Sequence, residues 1–364
     1  MIEDSKYFSG RGAQLNTHNR FNKQSYANEF PELIDEDMLK AEQTQYIEVF
    51  PKTIVNKVES PDIPGMYSMN PYQGCEHGCL YCYARITHEY WGYSAGLDFE
   101  RKILVKKNAP ELLEKCFQKK NWESSPIMLS GNTDCYQPIE RKLEITRKLL
   151  EVCLKYRHPV SIITKNALVV RDIDILSELT KLNLAHVMVT ITSLNEELRQ
   201  KLEPRTVTYK NRLKAVKILA DAGIPVGVMN APIIPGLTSH EIPELVKAAA
   251  ENGATSMGYT IVRLNGEIAN VFKDWLHKNF PDRAEKVWNQ ISDCHGGQVN
   301  DSRFGTRTRG EGKIAESIRN LFKMSVKKYI KKDKFEFDTT AFSKQRLEIF
   351  NKEKSKGQIS LFEE

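Results

Sequence analysis

Three cysteines, Cys75, Cys79 and Cys82, fall within eight residues, spaced Cys-x3-Cys-x2-Cys. Thiolates this close in a chain with no call for disulfides are metal ligands far more readily than packing residues. Gly74 and Gly78 let the loop wind tightly enough for three sulfurs to face inward. No fourth cysteine is near. Three thiolates can hold three irons of a four-iron cluster and leave the fourth iron open to a small molecule. That arrangement suits chemistry rather than structure. Two readings compete with it. His77 could complete a Cys3His zinc site, although a histidine two residues after the first cysteine is poorly placed to share its tetrahedron. The other is a scatter of buried thiols. Cys116 and Cys153 fall on apolar helix faces and read as core, while Cys135 and Cys294 are open.

The elements that must hold this loop are legible as a change of texture. From about residue 64 to 264, apolar runs of strand length alternate with helical patterns. One strand ends just before Cys75. Others cover 126–129, 160–163, 185–191, 226–229 and 256–262. Helices begin at Asn108 and cover 138–156, 171–182, 209–221 and 239–250. Six such units over about 200 residues predict an α/β fold, an open, partial (β/α)6 barrel of the TIM-like kind. A doubly wound sheet is the alternative, but no Gly-x-Gly-x-x-Gly follows a strand and no phosphate-loop motif occurs.

Barrels of this kind place their sites at the C-terminal ends of the strands. Polar residues stand at each such place. Ser130, Gly131, Thr133 and Asp134 follow one strand, and Thr164, Lys165 and Asn166 the next. Thr190, Thr192 and Ser193 end the fourth, with Glu203 and Arg205 beyond. Asn230 ends the fifth and Arg263 the sixth. Any one of them could be ordinary turn chemistry. Six polar exits around one face favour a site.

The 364 residues predict about two domains, or one large domain with additions. With 27% charged and 40% hydrophobic residues, collagen-like, low-complexity and wholly disordered chains are excluded. No apolar run is long enough to cross a membrane and no secretory leader is evident, so a reducing cytosol is expected. The expected organisation is a polar extension over 1–60, the barrel over 61–265, a helical basic region over 266–345 and a flexible tail over 346–364. The extension has little to bury, and composition favours a disordered arm over an ordered cap. The net charge of +6 is concentrated late, because residues 309–356 hold 14 Lys and Arg against 7 Asp and Glu. This is a solvated helix surface or one that faces a polyanion. The loop 296–312 mixes glycines with Arg303, Arg307 and Arg309, a composition that suits phosphate or a plain connection.

The cysteine spacing, with aromatic Tyr81 before the last cysteine, resembles the signature of radical S-adenosylmethionine enzymes. The segments 70–75, 82–85, 133–140, 202–205 and 231–236 narrow the resemblance to the branch related to spore photoproduct lyase, often labelled DNA repair photolyase. It is specific over 66–265. The resemblance implies a [4Fe-4S] cluster on Cys75, Cys79 and Cys82. It implies S-adenosylmethionine on the open iron, cleaved by one electron into methionine and a 5′-deoxyadenosyl radical that takes hydrogen from a substrate. It also implies a low-potential electron donor, a flavodoxin or ferredoxin. On the same basis Ser130 and Gly131 meet the methionine end, Lys165 pairs with the carboxylate, and Asp134 is a further cofactor-binding residue. Ser193 or Asn230 holds the ribose, and Tyr81 and Tyr83 flank the adenine. Arg205 and Arg263 meet an anionic substrate. Cys135, Tyr83 and Arg205 are the catalytic candidates. One departure stands out. The lyase carries a cysteine shortly before the Asp of this segment, whereas here Gly131, Asn132 and Thr133 precede Asp134 and the cysteine follows, at Cys135. The resemblance therefore reaches the radical-generating half and leaves the substrate open among damaged DNA, RNA and a protein side chain. A non-catalytic metal-stabilised module recruited by the clamp is the third reading.

The chain ends with Gln358, Leu361 and Phe362 in a pattern that resembles the pentapeptide by which bacterial replication and repair proteins bind the DNA sliding clamp. In such a peptide the two apolar residues fill a pocket and the glutamine makes polar anchors. The alternative is a tail folded back on its own domain.

Overall fold

Valine, isoleucine and methionine dominate the runs that become the central strands, and their burial alternates. In β7 (Val160–Thr164) and β8 (Ala185–Thr190) every second residue is fully buried and most of the others are half-buried. The fully buried set, Val160, Ile162, Val187 and Val189, shares one core with Leu149, Leu150, Leu176, Leu179, Val216 and Leu245 of the covering helices. The half-buried set faces the other way, into an interior that is less completely filled.

The computed structural model describes residues 10–21, 43–62, 66–331 and 335–349. The remaining strands are β1 (Gln45–Glu48), β2 (Val55–Lys57), β3 (Tyr67–Met69), β4 (Tyr72–Gln73), β5 (Lys102–Val105), β6 (Ile127–Leu129), β9 (Val226–Ile233) and β10 (Ser256–Ile261). The main sheet has seven strands in the order β10-β9-β8-β7-β6-β3-β2. The first six are parallel, with Val160 opposite Ala185 and Val187 opposite Val226, and β2 pairs antiparallel with β3 at the edge. These six are the expected strands in the expected order, and the sheet is open. Helices Ala109–Gln118, Ile145–Tyr156, Ile173–Thr180, Tyr209–Asp221 and Ile242–Glu251 form the connections.

Four features add to or depart from the favoured expectation. The single helix expected over 138–156 is two, Glu140–Leu143 and Ile145–Tyr156, broken at Glu144 with φ of 52°. The buried Glu140 carboxylate accepts from the Thr146 amide at 3.1 Å and so caps the second helix. A second sheet joins β1, β5 and β4, with Tyr72 opposite Val105 and Gln73 opposite Leu104. It carries the chain into Gly74 and Cys75. The open side of the main sheet is spanned by the loop 299–309. Ile261 donates its amide to Thr308 at 2.9 Å beside β10. Arg307 binds Asp62, five residues after β2, at 2.6 Å, and the Gly305 amide binds the same carboxylate at 2.8 Å. Finally, residues 10–21 form an ordered cap, because their backbone amides find a carboxylate that composition does not reveal.

Beyond the barrel, Ile268–Asn279 and Ala284–Asp293 pair as expected. Helix Gly312–Tyr329 buries Ala315, Ile318 and Phe322 against Ile242 and Val246. Residues 341–349 continue as a helix whose Phe342 packs on Phe117 and His158. Gln358, Leu361 and Phe362 lie outside the described residues. Among those described, no helix is long and apolar enough to cross a membrane.

Candidate metal centre

The cysteine loop turns back sharply at two glycines. Gly74 has φ of 80° and Gly78 has φ of 69°; a Cβ on Gly74 would stand 2.8 Å from the Lys102 carbonyl oxygen. Cys75 donates its amide to Phe99 at 2.9 Å. Cys75 and Cys79 are buried and Cys82 is half-buried. Cys82 leads directly into a 3-10 helix, Tyr83–Trp91.

Burial pushes all three thiols up in pKa. Asp134, Cys79 and Cys82 add to this at Cys75, and Glu203 adds to it at Cys79. Three thiolates in a buried loop are costly unless positive charge sits among them, and iron supplies that charge. No three or more His, Cys, Asp or Glu side chains among the described residues converge tightly enough for one ion. A cluster with one thiolate per iron requires no such convergence, whereas a zinc tetrahedron does. His77, the fourth ligand of the zinc reading, is engaged elsewhere. Its Nδ1 lies 3.4 Å from Asp134 and its Nε2 lies 3.4 Å from the Asn166 amide nitrogen. The residues present fit a four-iron cluster.

Three networks hold the loop. In the first, Arg85 and Glu100 form an ion pair at 2.5 Å with both side chains wholly buried. Arg85 also donates to the carbonyl oxygens of Cys79 at 2.9 Å, Ala95 at 3.1 Å and Gly96 at 3.0 Å. Glu100 in turn accepts from the amides of Gly12 at 3.0 Å and Ala13 at 2.8 Å. A Cβ on Gly12 would stand 1.8 Å from the Gly78 carbonyl oxygen, so the N-terminal cap lies directly on the cysteine loop. In the second, the Tyr81 hydroxyl meets Glu203, and also Thr192 at 3.0 Å. Glu203 pairs with buried Arg212 at 2.5 Å. Burial raises the Glu203 pKa, yet Arg212 and then Lys165 hold it down at about 2. In the third, Asp134 accepts from Thr164 at 2.7 Å and from the Lys165 amide at 2.8 Å. Against the effect of burial, His77 and these donors hold its carboxyl down at about 2.

The structure gathers some of the expected site residues and turns others away. Lys165 places its amine over the Tyr81 ring, 5.6 Å from the centroid, and acts electrostatically on Cys79 and Cys82. That amine has no ion-pair partner among the described residues. Tyr83 donates to the Gly131 carbonyl at 2.6 Å. Its side chain is 47% exposed, and burial at the hydroxyl end, with Cys82 beside it, pushes the phenol up. Gly131 is needed where it stands, because a Cβ there would lie 2.2 Å from the Ser68 hydroxyl. Ser130 adopts φ of 69° and accepts the Cys135 amide at 2.8 Å. Asn230 donates to the Ile191 carbonyl at 3.1 Å, while its side-chain oxygen is buried with no partner among the described residues. Tyr81 is a buried brace rather than an open face. Ser193 gives its hydroxyl to Glu241 at 2.9 Å, and Arg205 turns to Glu76 at 3.4 Å. Cys135 is enclosed in the main core with Tyr72 and Leu129. Arg85, Glu100 and Arg212 carry the loop and were not singled out as site residues. Their only sequence signal is a charged residue inside an otherwise buried pattern.

Removing the Glu100 carboxylate leaves Arg85 charged, buried and unpaired. We expect Glu100→Ala to cost about 3–5 kcal/mol in urea denaturation and to lower the iron retained per chain. The low pKa of Glu203 sets a pH window. Its ordinary value is 4.5 and its folded value about 2, so its stabilisation is complete above pH 4.5 and is lost as pH falls toward 2. Melting temperature followed from pH 6 to pH 2 should fall less steeply in Glu203→Gln than in the parent; equal slopes would remove this carboxylate from the acid response.

The radical SAM superfamily model matches residues 69–249. An uncharacterised protein of Mycobacterium tuberculosis strain H37Rv is 32% identical over 242 residues, which is 66% of this chain and 71% of that one. An uncharacterised protein of Methanocaldococcus jannaschii is 29% identical over 247 residues, 68% of this chain and 89% of that one. Among solved structures, spore photoproduct lyase complexed with dinucleoside spore photoproduct superposes with a TM-score of 0.56 at 15% identity, covering 78% of this chain and 79% of that one. That likeness extends the shared fold well beyond the matched segment. With the three cysteines on one buried loop at the C-terminal edge of six parallel strands, the chain belongs to the radical SAM superfamily and is a radical SAM enzyme, with that family's cofactors, a [4Fe-4S] cluster and S-adenosylmethionine.

Proposed function

We propose that this enzyme abstracts a hydrogen atom from a nucleotide of damaged DNA. The observation that carries this reading is the fold shared with a lyase complexed with a dinucleoside spore photoproduct. Beside the last cysteine the Tyr83 ring is exposed, and Arg263, with Asp62 and Asp301 also near it, acts on that ring electrostatically.

When bound, the cluster supplies one electron that cleaves S-adenosylmethionine into methionine and a 5′-deoxyadenosyl radical. The chain's own residues bind and orient. Cys75, Cys79 and Cys82 hold the irons. Lys165 would pair with the carboxylate of the methionine moiety, and Ser130 and Gly131 would hold its other end. The unpartnered Asn230 oxygen accepts from a ribose hydroxyl, and Ser193 steadies the strand end through Glu241. Tyr83 faces the substrate at the opening. Arg263 meets its phosphate, because Arg205 is already turned to Glu76. Cys135, closed in the core, takes no part in returning hydrogen in this reading. A reduced flavodoxin or ferredoxin donates the electron. All seven cysteines are free thiols, which supports a reducing, cytosolic setting. We also propose that Gln358, Leu361 and Phe362 bring the enzyme to DNA through a sliding clamp.

The test is anaerobic turnover with S-adenosylmethionine and DNA oligonucleotides deuterated in their damaged bases. Deuterium should appear in 5′-deoxyadenosine, and Cys79→Ala should lower its formation at least about 100-fold. Transfer from RNA or peptide alone would sink the DNA reading. For the tail, clamp should be recovered with the full chain and lost when residues 358–364 are removed; equal recovery would end that proposal.

A further inference from the structure

The loop 303–310 and helix Gly312–Tyr329 enclose a groove of about 430 Å³, open along its length. Tyr259 and Phe322 form its apolar floor. Arg309, Arg319 and Lys323 line its walls. These three cations differ from the two paired arginines of the same loop. Arg303 pairs with Asp301 and Glu311, and Arg307 with Asp62. Among the described residues, Arg309, Arg319 and Lys323 have no carboxylate partner. Arg309 is held in place by the Tyr259 carbonyl at 3.0 Å and by the Tyr259 ring at 4.3 Å. Arg319 touches the Gly310 carbonyl at 3.4 Å. The whole helix has the same bias, with Lys313, Arg319, Lys323, Lys327 and Lys328 against one acid, Glu316. Its apolar side is already consumed against helix Ile242–Glu251.

Cations without a carboxylate partner repel one another. A groove that gathers them is matched by an extended anion. Phe304, next in sequence to the lining residue Gly305, adds a second feature. Phe304 is 56% exposed, with the Arg307 guanidinium 4.5 Å above its ring. An exposed ring beside a row of cations suits a strand whose bases can stack while its phosphates are neutralised. Arg309 also donates to the Tyr259 carbonyl of β10, the strand that leads to Arg263.

We infer that this groove holds the phosphodiester backbone of a DNA strand, with a base on Phe304, and so fixes which nucleotide reaches the opening. This rests on DNA being the substrate. It adds a binding site outside the barrel that sets position along the strand.

The full-length, cluster-loaded protein is titrated against a fluorescein-labelled single-stranded DNA 20-mer, with an RNA of the same sequence in parallel. Anisotropy is followed at several KCl concentrations. Arg319→Gln/Lys323→Gln should bind at least about tenfold more weakly, with a log–log salt slope smaller by about 1.4 for two lost contacts. Phe304→Ala should weaken binding about tenfold with the slope unchanged, because stacking releases no counterions. All three side chains are exposed, so the variants fold. Lys217→Gln, on helix Tyr209–Asp221, is the control for generic charge loss. Equal binding by parent and double variant would overturn the groove, as would RNA binding tenfold tighter than DNA. Loss of binding in the variant together with absent deuterium transfer from DNA would leave the groove standing and overturn the reaction instead.

Discussion

Arg85 and Glu100 meet beneath the cysteine loop with no access to water, and much of the local structure follows from that contact. A buried ion pair stabilises little unless its remaining hydrogen-bonding capacity is used. Here it is used fully. The guanidinium takes the carbonyl oxygens of Cys79, Ala95 and Gly96, and the carboxylate takes the amides of Gly12 and Ala13. One pair therefore ties the cysteine loop and the segment 95–100 to a distant one, Gly12 and Ala13. Its effect is on geometry, since it sets the path of the loop that must present three thiolates.

The same logic recurs at the other supports of the loop. Glu203 with Arg212, and Asp134 with His77 and Thr164, are buried acids saturated by donors. Each draws a strand end toward the cysteines. The polar exits of the strands thus divide into two groups. Asp134, Thr192 and Ser193 are spent on holding neighbouring segments. Lys165, Asn230 and Tyr83 keep atoms or surface available. That division follows from hydrogen-bond satisfaction, because a buried polar atom without a partner is costly and is retained where a ligand supplies the partner.

An open sheet has two edges, and the chain covers them with its C-terminal region. The loop 299–309 runs beside β10 and reaches Asp62 next to β2. Paired arginines, Arg303 and Arg307, secure this seam, while unpaired ones face outward from the loop and the following helix. The basic excess noticed in the sequence is therefore two populations with different roles.

The sequence by itself determined the cysteine triplet, the six strands and their order, and the helices that join them. These are local properties: spacing along a loop, a period of two in strands and a period near 3.6 in helices. The cap over 10–21, the second sheet, the break at Glu144 and the closing of the seam were decided by tertiary structure. The cap and the seam depend on a carboxylate dozens of residues away, Glu100 for Gly12 and Asp62 for Arg307. No periodicity encodes such pairs. The same holds within the site. Sequence placed Tyr81, Ser193, Arg205 and Cys135 beside Lys165, Asn230 and Tyr83 as equals, since all are reactive or polar types near strand ends. Only the folded arrangement separates a side chain whose bonding capacity is spent, or whose atoms are enclosed, from one whose capacity remains for a ligand.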